Sequence, residues 1–252
     1  MDSVDAILRE LADDPSEYER QGGAVLLARQ GRAYSLLLKQ VPAVGVIIEG
    51  ESDSGPIPPA PLNVFVQQSL LQLPRLASQI VKAMDKISQS RPAKYVEGPA
   101  SLEIDQAVSV WKETAREFRT FLNEQEVGTT RLVQLMAGAG QGKTVLLEQL
   151  ARQSAGEYVA DIYPTPFLLT VDLLGRYVGT IDDAIAGSLN NTYMFPGLTQ
   201  RDVALCVRNR WMVLALDGFD DRRGGVRAFG VSYSDARSVR GQALSDRSTD
   251  AT

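Results

Sequence analysis

Residues 132–147, LVQLMAGAGQGKTVLL, constrain this chain more than any other stretch. An apolar run reaches Met136, breaks into a turn containing Gly138, Gly140 and Gly142, passes Lys143-Thr144 and becomes apolar again. Such a pattern reads as a buried strand entering a glycine turn and leaving it as a buried helix. Alternation continues downstream. RLVQLMA is expected to be a strand, 143–154 a helix, PFLLTVDLL (166–174) a strand, 180–190 and 199–209 helices, and WMVLALD (211–217) a strand. Thr180 with Asp183, and Thr199 with Asp202, have capping-box spacing. The last strand is apolar on both faces, as a central parallel strand should be. The expectation is therefore an α/β parallel sheet with helices on its faces.

Residues 137–144 approximate the phosphate-binding pattern G-x-x-x-x-G-K-[ST], with Ala137 where the pattern places its first glycine. Gly138, Ala139, Gly140, Gln141 and Gly142 can turn successive backbone N–H groups toward one point, because glycine tolerates dihedrals that a Cβ forbids. The helix that follows aims its positive end at the same point. Lys143 is expected to reach the β- and γ-phosphates, and Thr144 to ligate Mg²⁺ through its hydroxyl. A second metal contact is then needed from a neighbouring strand end. WMVLALDGFDD supplies Asp217 for the metal, and Asp220 or Asp221 to orient or deprotonate an attacking water.

GAGQGKTVLLEQLA, WMVLALDGFDD and the PFLLTVDLL strand between them make residues 131–221 resemble the NACHT family, a branch of the STAND class of P-loop NTPases. In that family the second motif usually reads D-G-x-D-E; here Asp221 stands in place of the glutamate, which shortens the reach of the last carboxylate. The resemblance implies an ATP-binding switch with ATP favoured over GTP, Mg²⁺ as cofactor, and hydrolysis that is weak or partner-dependent. It also implies protein partners or self-association, and a role in signalling or defence. The alternative expectation is an adaptor carried by residues 1–126 with a vestigial nucleotide site. A different P-loop enzyme, such as a kinase or helicase loader, is the third reading; it needs an acceptor pocket or a nucleic-acid groove, and the acidic body of the chain opposes the latter.

The N-terminal half is expected to be a small α+β region. Residues 3–12 read as a helix, and AVLLAR (24–29), AYSLLLK (33–39) and VGVIIEG (44–50) as strands, with a hairpin at Gln30-Gly31-Arg32. ESDSGPIPPAP (51–61) reads as a linker because of its four prolines. Residues 62–126 read as helical, broken near Pro74, with 102–126 as an amphipathic helix. The expected divisions are a β-rich region at 1–50, a linker at 51–61, a helical region at 62–126, an NTPase core at 127–221 and a disordered tail at 222–252.

Histidine is absent and Cys206 is the single cysteine, which excludes Ser-His-Asp triads, histidine bases, Cys/His zinc sites and internal disulfides. The acidic N-terminus is unlike a secretory signal, no run is long enough to span a bilayer, and a cytoplasmic location is expected. The net charge of −5 divides into −8 for residues 1–221 and +3 for the arginine-rich remainder, which argues against a nucleic-acid partner for the body. Only 31 residues follow Asp221, whereas this class of sheet usually continues with a strand between the two motif strands. The favoured expectation is an incomplete sheet in a truncated or frame-shifted product, and hence a marginally stable NTPase half. A variant completed by a partner chain and a functional arginine tail are the alternatives.

Overall fold

The computed structural model describes residues 2–42, 44–90, 100–104, 107–111, 114–123, 142–160, 166–173 and 180–218. The described residues fall in one compact unit, Met1–Phe219. Its architecture is mixed α/β, with one five-stranded antiparallel sheet, a two-stranded antiparallel hairpin and a two-stranded parallel sheet. The expected strand at 131–137, Gly138–Gln141, Asp220, Asp221 and the tail 222–252 lie outside the described residues.

Helix α1 (Asp2–Leu11) leads through a short 3₁₀ turn at Pro15–Glu17, capped by the Asp14 side chain, into β1 (Tyr18–Gln21). β2 (Ala24–Arg29), β3 (Arg32–Val41), β4 (Gly45–Ser52) and β5 (Gly55–Pro61) complete the antiparallel sheet in sequence order. The β2–β3 hairpin closes over two residues, Gln30 (φ 53) and Gly31 (φ 69), with Arg29 opposite Arg32. Two successive left-handed residues match the twist of the flanking strands, so the expected hairpin forms. β3 alternates strictly, with Tyr34, Leu36 and Leu38 buried and their neighbours exposed. That is the period-2 pattern of a sheet covered on one face.

Three expectations for this half are corrected. Residues 51–61 are not a linker: the end of β4 and all of β5 occupy them. Prolines cannot donate to a ladder, but β5 is the edge of the sheet, where that loss is tolerated and outside strands are discouraged from pairing. Residues 102–126 are not one helix. They contain the hairpin β6 (Ala100–Ile104) and β7 (Ala107–Trp111), then α4 (Thr114–Asn123). Short apolar runs fit both periods, and the alternating valines of AVSVW favour the strand. The helical stretch after residue 62 does break, two residues before Pro74 rather than at it. α2 (Leu62–Phe65) continues as a π-helical turn (Val66–Leu70), and the chain reverses at Gln72, φ 51. Pro74 sits in the first turn of α3 (Leu73–Gln89), where its missing N–H costs nothing.

In the second half α5 (Lys143–Ala160) runs well past its expected end and packs against α3. β8 (Phe167–Asp172) and β9 (Met212–Asp217) pair in parallel, joined through α6 (Ile181–Gly187), a π-helical turn (Ser188–Thr192) and α7 (Gln200–Arg208). Parallel pairing requires such a crossover. Both expected capping boxes form: Thr180 with Asp183, and Thr199 with Asp202.

One buried core runs through both halves, from Leu8, Leu36 and Ile48 to Leu76, Phe167 and Leu169. Polar groups tie it together. The Tyr158 hydroxyl donates to Gln67 at 2.8 Å, and the Tyr158 ring meets Phe167 edge-on at 4.7 Å. Arg29, inward-facing on β2 and 5% exposed, reaches Asp202 on α7, 3% exposed, at 3.0 Å. Arg208 pairs with Glu10, and Arg152 with Asp85 at 2.5 Å.

Candidate nucleotide site

Gly142 precedes α5 with φ +83, a conformation that L side chains rarely adopt, and no atom of the described residues lies within 4 Å of where its Cβ would stand. Its carbonyl accepts the first helical bond, from Leu146 N–H at 2.9 Å. Lys143 opens the helix half-buried, and Thr144 beside it is exposed. The first turn of α5 carries no acidic side chain, so nothing on the helix itself offsets its positive end. A positive-φ glycine, a lysine and a hydroxyl at a helix start are residue types suited to an anion.

The direction of α5 follows from its contacts with β8. Ser154 Oγ accepts from Leu168 N–H at 3.0 Å, and Tyr158, one turn further on, lies against Phe167. Helix and strand therefore run in opposite senses. From Ser154 back to Lys143 the helix covers about 16 Å at ~1.5 Å per residue. From Leu168 forward to Asp172 the strand covers about 13 Å at ~3.3 Å per residue. The start of α5 thus lies toward the carboxyl edge of the parallel pair.

That edge is acidic. Asp217 ends β9 and is the register partner of Asp172, which ends β8. Register partners on parallel strands project to the same face about 4.8 Å apart. Gly218 (φ +78, buried) turns the chain, and its N–H donates to Asp217 Oδ1 at 3.0 Å. The Asp217 carbonyl accepts from Leu173 N–H at 2.9 Å, which extends the ladder one residue beyond the strand. Asp217 is thus fixed through its backbone and one carboxylate oxygen. Asp172 escaped the sequence reading. Its signal was the shared ending of two apolar strands, TVD and ALD, but only the register makes the two carboxylates neighbours.

Of the residues expected to bind nucleotide and metal, Gly142, Lys143, Thr144 and Asp217 are placed by the described structure; Gly138, Ala139, Gly140, Gln141, Asp220 and Asp221 lie outside it. Among the described residues no group of three or more Cys, Asp or Glu side chains gathers as a metal cage. A Mg²⁺ held by one or two protein oxygens together with phosphate and water needs no such cage, so Thr144 and Asp217 fit that role by donor type. Cys206 lies wholly buried in α7, where burial pushes its thiol far above the usual range and keeps it unreactive. The same burial raises the Tyr193 phenol to about 12. Among the described residues no helix is long and apolar enough to cross a membrane. The chain matches no protein-family model, no curated protein and no solved structure.

Proposed function

We propose that the chain is a nucleotide-binding switch module of the NACHT-like, P-loop type, binding ATP with Mg²⁺ and hydrolysing it weakly or only with a partner. The observation that carries the reading is a parallel strand pair ending in Asp172 and Asp217, with a helix that starts at Lys143-Thr144 packed against β8. Ligands of open parallel sheets bind at the carboxyl ends of the strands, which is where this acidic edge lies. In the proposed site Lys143 offsets phosphate charge, Thr144 and Asp217 hold the metal, and Asp220 or Asp221 orients water. Gly138, Ala139, Gly140 and Gln141 supply backbone N–H groups. ATP is favoured over GTP by resemblance of class, and the site belongs to a cytoplasmic protein.

Isothermal titration with Mg-ATP tests the reading. Lys143→Ala removes the charge opposite the phosphates, and affinity should fall about 100-fold, the effect of roughly 2.7 kcal/mol. Equal binding by wild type and Lys143→Ala, or no binding by wild type, overturns it.

A further inference from the structure

We propose that Arg29 is a positioning residue through which the N-terminal sheet sets the placement of α7 and, through it, the Asp217 edge. Three separate elements converge on its guanidinium. Nε donates to the carbonyl of Leu70, the last residue of the π-helical turn, at 3.0 Å. Nη1 donates to the carbonyl of Leu11, the last residue of α1, at 2.9 Å, and to Asp202 Oδ1 at 3.0 Å. A cation therefore sits against the negative ends of two helical segments and a carboxylate in the first turn of a third. Asp202 is fully committed. Its Oδ2 accepts from both Thr199 N–H (2.8 Å) and Thr199 Oγ1 (2.9 Å), closing the cap of α7, while its Oδ1 faces Arg29.

From that cap the chain leads to the acidic edge with little slack. α7 ends at Arg208, and β9 begins at Met212. Between them Arg210 takes φ 58, and Trp211 N–H bonds back to Cys206 at 2.9 Å. A shift of the cap is thus passed to the strand that ends in Asp217. Arg29 Nη2 is buried without a partner among the described residues. Lysine can replace the charge but not the fork that bridges Leu70, Leu11 and Asp202.

The inference rests in part on the nucleotide reading, and the test separates the two. Cys206, the only cysteine, lies buried in the last turn of α7, so its labelling by a thiol reagent reports opening of that helix without any nucleotide. Arg29→Lys should label about tenfold faster than wild type, within the range of coupled sites. The comparison is Leu36→Val, in the core of the N-terminal sheet, at conditions where both variants have lost the same stability. Mg-ATP affinity of Arg29→Lys should also fall about tenfold. A charge-free pair, Arg29→Met with Asp202→Asn, keeps an acceptor for the Thr199 cap and keeps the test open if the lysine variant folds poorly; it should label like Arg29→Lys. Labelling no faster than in the matched Leu36→Val protein overturns the proposal, as does unchanged affinity in Arg29→Lys where wild type binds through Lys143. Should wild type bind no Mg-ATP, the nucleotide reading fails, and the labelling rate alone decides the clamp.

Discussion

The antiparallel and the parallel sheet of this protein solve the same problem differently. In β3 buried and exposed residues alternate, and the outer edge β5 is closed off by prolines. In the parallel pair β8 is buried at Phe167, Leu168, Leu169 and Val171, whereas β9, equally apolar in sequence, is buried only at Met212 and half-covered from Val213 to Asp217. One sheet is finished on its own terms. The other presents a half-covered apolar strand that ends in a carboxylate. The difference is one of enclosure: the first sheet hides one face of β3 from Tyr34 to Leu38, and the second leaves its last strand half-covered up to Asp217.

The two regions nevertheless share one core, and the largest expected effect tests that union. Arg29→Met leaves Asp202 buried and unpaired, which should cost about 4 kcal/mol. Adding Asp202→Asn should restore most of it, because no buried charge is then left unpaired and an amide oxygen can still accept the Thr199 bonds. Chemical denaturation followed by circular dichroism and by tryptophan emission should lose both signals in a single transition. Two separate transitions in wild type would divide the molecule into the independent regions that its composition suggested.

Next in size is a comparison within the parallel pair. Leu169→Ala in fully buried β8 should cost about 3 kcal/mol, as large-to-small changes in closed cores do. Leu214→Ala, its register partner in half-covered β9, should cost only about 1 kcal/mol, since less area leaves water there. Equal losses in equilibrium denaturation would mean that β9 is as enclosed as β8, and the contrast would disappear. In the antiparallel sheet the matching probe is Gly50, beside the register shift of β4. A Cβ there would stand 2.0 Å from the Ser35 carbonyl oxygen, so the two strands would have to part. Gly50→Ala should lose about 2 kcal/mol, the usual scale of overpacking, read as a lower thermal midpoint. A neutral result would show a looser sheet than the alternation of β3 implies.

What the sequence disclosed follows from the distance over which each feature is specified. The Gln30-Gly31 hairpin, the Thr180–Asp183 and Thr199–Asp202 capping boxes and the helix start at Lys143 each rest on a few adjacent residues, and all were legible. β5 was not, because proline reads as a breaker until the strand is known to be an edge, and edge position is a property of topology. The β6–β7 hairpin was hidden by apolar spacings that satisfy a helix equally well. Arg29 could not be singled out: its carboxylate partner lies 173 positions away, and an arginine ending an apolar strand reads as a solvated charge. At the site, Lys143, Thr144 and Asp217 could be named from local pattern, whereas Asp172 required the β8–β9 register.

The smallest expected effect again sets a local feature against a long-range one. Asp183 is held below the ordinary aspartate pKa by the Thr180 backbone N–H and then by its hydroxyl, and it is fully exposed. Asp202 makes the same cap but is buried against Arg29. A depressed folded-state pKa means that the unfolded chain takes up the proton first as pH falls. The stabilisation from the Asp183 cap is therefore complete above the ordinary aspartate value of about 4 and is lost as pH drops through the lower folded value. Thr180→Val removes the hydroxyl, and its stability deficit relative to wild type should shrink between neutral pH and about pH 3 in denaturant titrations. Screening by water keeps this change small at the exposed cap. Thr199→Val removes the same hydroxyl from a buried cap, and its loss at neutral pH should exceed that of Thr180→Val, because a buried acceptor is costlier to leave short of a partner. Equal losses in the two variants would mean that burial beside Arg29 adds nothing to the second cap.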